Sequence, residues 1–215
     1  GKPRESLFIT TKLWNDRHGY DLAFNAVHDS LAKLGTDYLD LYLIHWPNPS
    51  QGLYLEAWEG MIEARERGLV RSIGVSNFLP DYLDVLIEKT GVTPSVNQIE
   101  LHPYFNQEEQ RAADKERGIL TQAWTPIGKR TALLDEPTIV NIARELGRSP
   151  AQVVVRWHLQ LGVLPIPKSA SATRRVENLA IKDFVLGAGH MQAIAGLTRR
   201  DGRIFDGDPA THEEF

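Results

Sequence analysis

Residues 38–47 read YLDLYLIHWP, an apolar run of strand length that ends in His45 and Trp46 and is stopped by Pro47. Five further runs of the same kind lie around it: LFITTK (7–12), RSIGVSN (71–77), SVNQIE (95–100), ILTQAW (119–124) and VLPIPK (163–168). Each carries a polar or aromatic group at its carboxyl end: Lys12, His45, Ser76 with Asn77, Gln98, Trp124 and Lys168. From Lys12 to Lys168 there are 156 residues in five intervals, a mean of about 31. An eight-fold (β/α) barrel of roughly 250 residues divides into units of that size and places its chemistry at the carboxyl ends of its strands.

The intervening segments have helical spacing. Leu22, Val27, Leu31 and Leu34 share one face of a helix over 20–34 that Gly35 closes. Further helices are expected over 55–67, 80–89, 107–117 and 136–146, with Gly68, Gly118 and Gly147 as stops. Ser149, Pro150 and Gln152 agree on one helix start: a capping hydroxyl, proline at N1 and glutamine at N3. The last barrel helix is expected over 173–181, and the segment from about 198 to 215 reads as a polar tail with little core of its own. Strict alternation of strand and helix specifies an α/β fold with a parallel sheet. No linker rich in Pro or Ser interrupts 1–215, so a single domain is expected.

Composition excludes several classes. A net charge of −4 with no basic stripe argues against nucleic acid as a partner. Cysteine is absent, which excludes disulfides and thiolate chemistry and fits a reducing, cytoplasmic setting. No apolar run reaches the roughly 18 residues of a membrane span. His18, His28, His190 and His212 lack ligand spacing, so no metal site is expected; His102 and His158 are read as packing groups.

Taken singly, a lysine, histidine or asparagine at a strand end is more often a surface or packing group than a functional one. Their recurrence at successive ends is what points to one mouth. The runs TTKLW (10–14), DLYLIHWP (40–47), IGVSNF (73–78), VNQIELHP (96–103), AWTPIG (123–128) and PKSASATRRVENL (167–179) together resemble the aldo-keto reductases. The similarity is greatest to the bacterial branch resembling 2,5-diketo-gluconate reductases, where Trp occupies the strand-five position. The resemblance implies a (β/α)8 TIM barrel, a cytoplasmic monomer, and NADPH-dependent reduction of small aldehydes and ketones without metal.

Position by position, the resemblance makes Lys12 and His45 catalytic and Trp14 and Trp46 walls of the substrate pocket. Ser76, Asn77 and Gln98 match the contacts to the nicotinamide carboxamide. Trp124 matches the aromatic that stacks on that ring, and Thr125 and Ile127 line the pyrophosphate path. Lys168, Ser169 and Arg174 match the clamp on the 2′-phosphate, while Glu177 and Asn178 match partners of the adenine amine. Two cations and a hydroxyl beside a helix start also suit a phosphate dianion without any appeal to the family. Arg175 is read as part of a solvated face.

The family's catalytic Tyr and its Asp partner find no match. Alternation puts Tyr42 on the opposite face of its strand from His45, and Tyr20, Tyr38, Tyr54, Tyr82 and Tyr104 do not match the proton donor. The expectation is therefore a barrel lacking its N-terminal part, with six of eight strand–helix units (third to eighth). About 60 residues at ~31 per unit would be absent, and the chain alone would be inactive. The alternatives are a truncated form that binds NADP(H) without turnover, or a rearranged fragment whose open edges favour association.

Overall fold

The computed structural model describes residues 1–129 and 131–214. Its elements alternate: β1 (Thr10–Leu13), α1 (Tyr20–Leu34), β2 (Leu39–Ile44), α2 (Tyr54–Glu66), β3 (Val70–Ser76), α3 (Pro80–Thr90) and β4 (Val96–Glu100). There follow α4 (Glu108–Glu116), β5 (Leu120–Trp124), α5 (Pro137–Leu146), α6 (Pro150–Gln160), β6 (Leu164–Pro165), α7 (Ala172–Leu179) and α8 (Ala188–Ala195). The strands form one sheet in the order β1-β2-β3-β4-β5-β6. Pairing is parallel, with Lys12 opposite Leu43, Tyr42 opposite Ile73 and Ala123 opposite Pro165. All six expected runs thus contribute strands to an α/β fold.

There are three departures from the expected elements. In the run LFITTK the strand begins at Thr10; before it Ile9 O accepts the Asp40 and Leu41 N–H groups at 3.1 and 3.2 Å, and the Ile9 N–H goes to Asp40 Oδ2 at 2.9 Å. Leu7 and Phe8 are exposed. β6 shrinks to two residues, since Pro165 has no N–H to give to a ladder. The segment 188–195 forms α8, which was not expected because Gly187 and Gly189 dilute its helical signal. Elsewhere local signals hold: Gly35, Gly91 and Gly147 cap their helices in the left-handed region, and Ser149 with Gln152 closes a complete capping box.

The residues gather into two compact units that interleave along the sequence. One holds Gly1–Asn97, Ala112–Leu120 and the segment from Gly207; the other holds Gln98–Arg111 and Thr121–Asp206. The first unit's core packs Val27 and Leu31 of α1, Trp58 and Met61 of α2, and Tyr42, Ile44 and Ile73 of the sheet. The second packs Ile139 and Ile142 of α5 and Val153, Val154 and Trp157 of α6 around Ile99, Leu101 and Ala123. Each large side chain of this kind contributes on the order of 2–3 kcal/mol by leaving water. His158 is fully buried, with Nδ1 2.8 Å from Val154 O and Nε2 3.1 Å from Leu101 O. His102 is buried beside Glu100 at 3.1 Å.

In the first unit, α2 crosses α1 at Gly60, where an added Cβ would stand 2.4 Å from Tyr20 O. The obstacle is main chain, so one helix must move. Gly60→Ala is expected to destabilise the protein by about 1–3 kcal/mol despite alanine's better helix propensity. Urea unfolding followed by circular dichroism checks this, and an unchanged midpoint would refute it.

The tail docks rather than floats. Arg199 lies 3.8 Å over the Tyr104 ring and the Ile204 N–H donates to Glu100 Oε1 at 2.7 Å. Residue 215, at the end of the expected tail, lies outside the described residues. Among the described residues no helix is long and apolar enough to cross a membrane.

Candidate active site and dinucleotide cleft

In the first unit, Lys12 ends β1 and His45 follows β2 directly. The Trp14 ring stacks on His45 with centroids 5.0 Å apart, and Trp46 meets His45 edge-on at 6.3 Å. Burial pushes the Lys12 ammonium down to about 8, with the Glu214 carboxylate partly offsetting it. Burial also pushes His45 down to about 4, helped by the charges of Lys12 and His212, so the ring is neutral at neutral pH. Ser76 and Asn77 are buried at the end of β3. Asn77 Nδ2 donates to His45 O and to Ser76 Oγ, both at 3.1 Å, from a backbone with φ of 62°. Asparagine tolerates this left-handed geometry better than most residues do.

The chain's carboxyl-terminal segment meets the same residues. Glu214 Oε2 lies 3.4 Å from His45 Nδ1 and accepts from Asn15 Nδ2 at 3.1 Å. The first distance is outside good hydrogen-bond range, and with a neutral imidazole it is no charge pair. Asn48 Nδ2 donates to Glu214 O, and the Ser50 N–H donates to Glu213 Oε1, each at 2.8 Å. His212 covers Trp46 with centroids 4.2 Å apart. None of Asn15, Asn48, His212 or Glu214 was singled out from the sequence as a site residue. They are brought together by packing between segments up to 199 residues apart, for which no local pattern exists.

In the second unit, Gln98 Nε2 donates to Gln122 Oε1 and Trp124 meets Phe205 at 5.5 Å. Thr125 follows with φ of 56°. That is a strained conformation for a β-branched residue, worth about 1–3 kcal/mol and found mostly at functional positions. Ile127, Lys168, Ser169, Arg174, Glu177 and Asn178 line a single cavity of about 590 Å³; Thr125 is not among its lining residues. Ser171 caps α7 by accepting the Arg174 N–H at 3.3 Å. Among the described residues the exposed Lys168 and Arg174 side chains have no hydrogen bond or ion pair, and they share the cavity lining with the carboxylates of Asp135 and Glu177. Arg175 is exposed, as expected of a solvated face, and its Nη1 also donates to Ser169 O at 3.3 Å and Ala170 O at 2.9 Å, holding the loop that precedes α7.

One parallel α/β sheet thus carries these groups at the ends of its strands. The chain belongs to the aldo/keto reductase family, whose sequence model matches residues 1–199. The chain is 52% identical over 212 residues to 2,5-diketo-D-gluconic acid reductase B of a Corynebacterium species, covering 99% of this chain and 76% of that protein. It superposes on the crystal structure of Gox0644 in its apo form with a TM-score of 0.94 at 47% identity, covering 99% of this chain and 77% of that one. A mutant of Gox0644 crystallised with NADPH gives the same TM-score and identity over 98% of this chain and 77% of that one.

Proposed function

We propose that this fold reduces small aldehydes and ketones to alcohols with NADPH, as a cytoplasmic monomer of the eight-stranded barrel class. The observation that carries the reading is the cavity of about 590 Å³ on which six of the expected dinucleotide contacts gather, Lys168 and Arg174 among them. When bound, the dinucleotide would supply hydride. Lys168, Arg174 and the Ser169 hydroxyl would hold its 2′-phosphate, and Glu177 and Asn178 the adenine amine. Thr125 and Ile127 would line the pyrophosphate path. Ser76, Asn77 and Gln98 would fix the carboxamide while Trp124 stacks on the ring. Lys12 and the neutral His45 would orient the carbonyl oxygen between Trp14 and Trp46. No metal is needed by this scheme.

A second reading has its own support. Among the described residues the His45 ring meets Trp14, Trp46 and Glu214, and none of these is a tyrosine. Tyr42 is buried with its phenol pushed up to about 12, chiefly by burial. Tyr38 is flanked by Arg4 and Arg71 at 3.8 and 4.1 Å. Tyr54 and Tyr82 cluster with Phe78. In the second unit the Tyr104 hydroxyl donates to Glu136 at 2.7 Å. On this reading the 215-residue chain binds NADPH without turnover, for want of the family's proton-donating Tyr and its Asp partner.

The purified chain is expected to bind NADPH, detected as enhanced nicotinamide fluorescence. Loss of nicotinamide absorbance with a panel of short aldehydes and diketones then separates the readings. Binding with turnover supports the first and binding alone the second. Absence of both would end the reductase interpretation.

A further inference from the structure

We propose that Lys12 is also an amine nucleophile that captures short aldehydes as a Schiff base in a cavity beside β1 and α1. The choice of aldehyde rests on the reductase reading; the capture itself needs neither cofactor nor turnover.

The cavity has a volume of about 260 Å³, and its lining includes Lys12, Trp14, Asp16, Arg17, Lys33 and Tyr42. It is smaller than the pockets that enclose drug-sized ligands, which suits a carbonyl compound of a few carbons. Lys12 is half-buried, and among the described residues its Nζ has neither a hydrogen bond nor an ion pair. An ammonium there keeps three donors with no protein acceptor while losing much of its water, so the geometry favours the neutral amine. Arg17 and Lys33 share this wall with Asp16 and Asp29, so its charges balance and burial is what acts on Lys12. Asp16 and Asp29 lie 3.7 and 3.9 Å from the Arg17 guanidinium, and the nearby Glu214 carboxylate does not outweigh burial. His45, the remaining titratable neighbour, is neutral, and the Tyr42 phenol stays protonated.

A lysine at about 8 is roughly one-quarter unprotonated at pH 7.5, against about one part in a thousand at the ordinary value. Lower basicity returns part of that roughly 200-fold gain, leaving a net preference on the order of tenfold. The step conserves atoms and electrons. The Nζ lone pair adds to the carbonyl carbon, an N–H proton passes to the oxygen, and the carbinolamine expels one water to leave the imine. No oxidant or reductant is consumed, and hydrolysis reverses it.

The test uses the whole chain with limiting propanal and sodium cyanoborohydride, which reduces an imine to a stable propylamine, followed by peptide mass spectrometry. Lys12 is expected to be labelled about ten times faster than any of Lys2, Lys33, Lys89, Lys115, Lys129, Lys168 and Lys182. The Gly1 α-amine, which also reacts with aldehydes, serves as the internal standard. Lys12→Arg should remove that label and leave the other sites unchanged. Even labelling of all lysines, or reaction at Lys33 with none at Lys12, overturns the proposal. Because the wild-type pattern alone decides, a poorly folding variant does not shelter it. A parallel assay of NADPH consumption with propanal reports on the reductase reading separately, so either idea can fail while the other stands.

Discussion

Asp40→Ala is expected to lower folding stability by about 2–3 kcal/mol, because it removes a buried charged acceptor on which three donors converge. Asp40 sits in β2 with its side chain 3% exposed, and three groups converge on it. Arg4 Nη2 donates at 2.8 Å, Arg71 Nη1 at 3.1 Å and the Ile9 N–H at 2.9 Å. Alanine would leave the Ile9 N–H without its acceptor, while the Arg4 guanidinium loses one partner and keeps Thr36 Oγ1, Leu7 O and Tyr38 O. Arg71 is 58% exposed and can turn to water, so its share is small. Asp40→Asn keeps one acceptor oxygen and should cost less.

The pH dependence follows from the direction of the shift at Asp40. Burial on its own would raise its carboxyl, but the Ile9 N–H and the Arg4 and Arg71 charges outweigh it and hold the folded-state value below the ordinary one. A depressed folded value means stabilisation that is complete above the unfolded value of about 3.9 and lost as pH falls through the folded one. The stability gap between wild type and Asp40→Asn should therefore be widest at neutral pH and narrow below about pH 4. Urea unfolding at the two pH values reads this; a gap that widens in acid would refute the assignment.

What the sequence reveals here depends on how far a cause reaches along the chain. The box of Ser149 with Gln152 is contained in four residues, and both it and the helix it starts are legible. The clamp is equally local. Lys168, Ser169, Arg174, Glu177 and Asn178 occupy one loop and the helix it feeds, so a contiguous motif carries them onto one cavity. The surroundings of β1 are not local: the Ile9 N–H is claimed by a carboxylate 31 residues away. Only the folded chain shows that Asp40 holds Arg4, Ile9 and Arg71. Glu214 is the extreme case, meeting Asn15 across 199 residues from a tail with no periodicity to read. Arg175 lies on the exposed face that its sequence neighbours suggest, but nothing in them says that its guanidinium also turns back onto the carbonyls of 169 and 170.

Removing both cations of the clamp, Lys168→Ala with Arg174→Ala, is expected to weaken NADPH binding by about 100-fold while leaving NADH binding unchanged. A hydrogen bond to a charged group contributes about 1.5–3 kcal/mol, or roughly 10- to 150-fold in affinity. Both side chains are exposed, so salt screening argues for the low end, about tenfold each. Their separation along the loop and helix start argues for near-additivity. The same screening makes a second demand: the NADPH preference of the wild type should shrink between low and high ionic strength, and that of the double variant should not. Arg175→Ala provides the contrast. Its guanidinium braces the 169–170 carbonyls instead of standing free, so its loss should loosen the loop and weaken both dinucleotides together. Parallel losses of NADPH and NADH affinity in the double variant would mean that Lys168 and Arg174 support the loop rather than recognise a phosphate. The cavity they line would then need a different ligand.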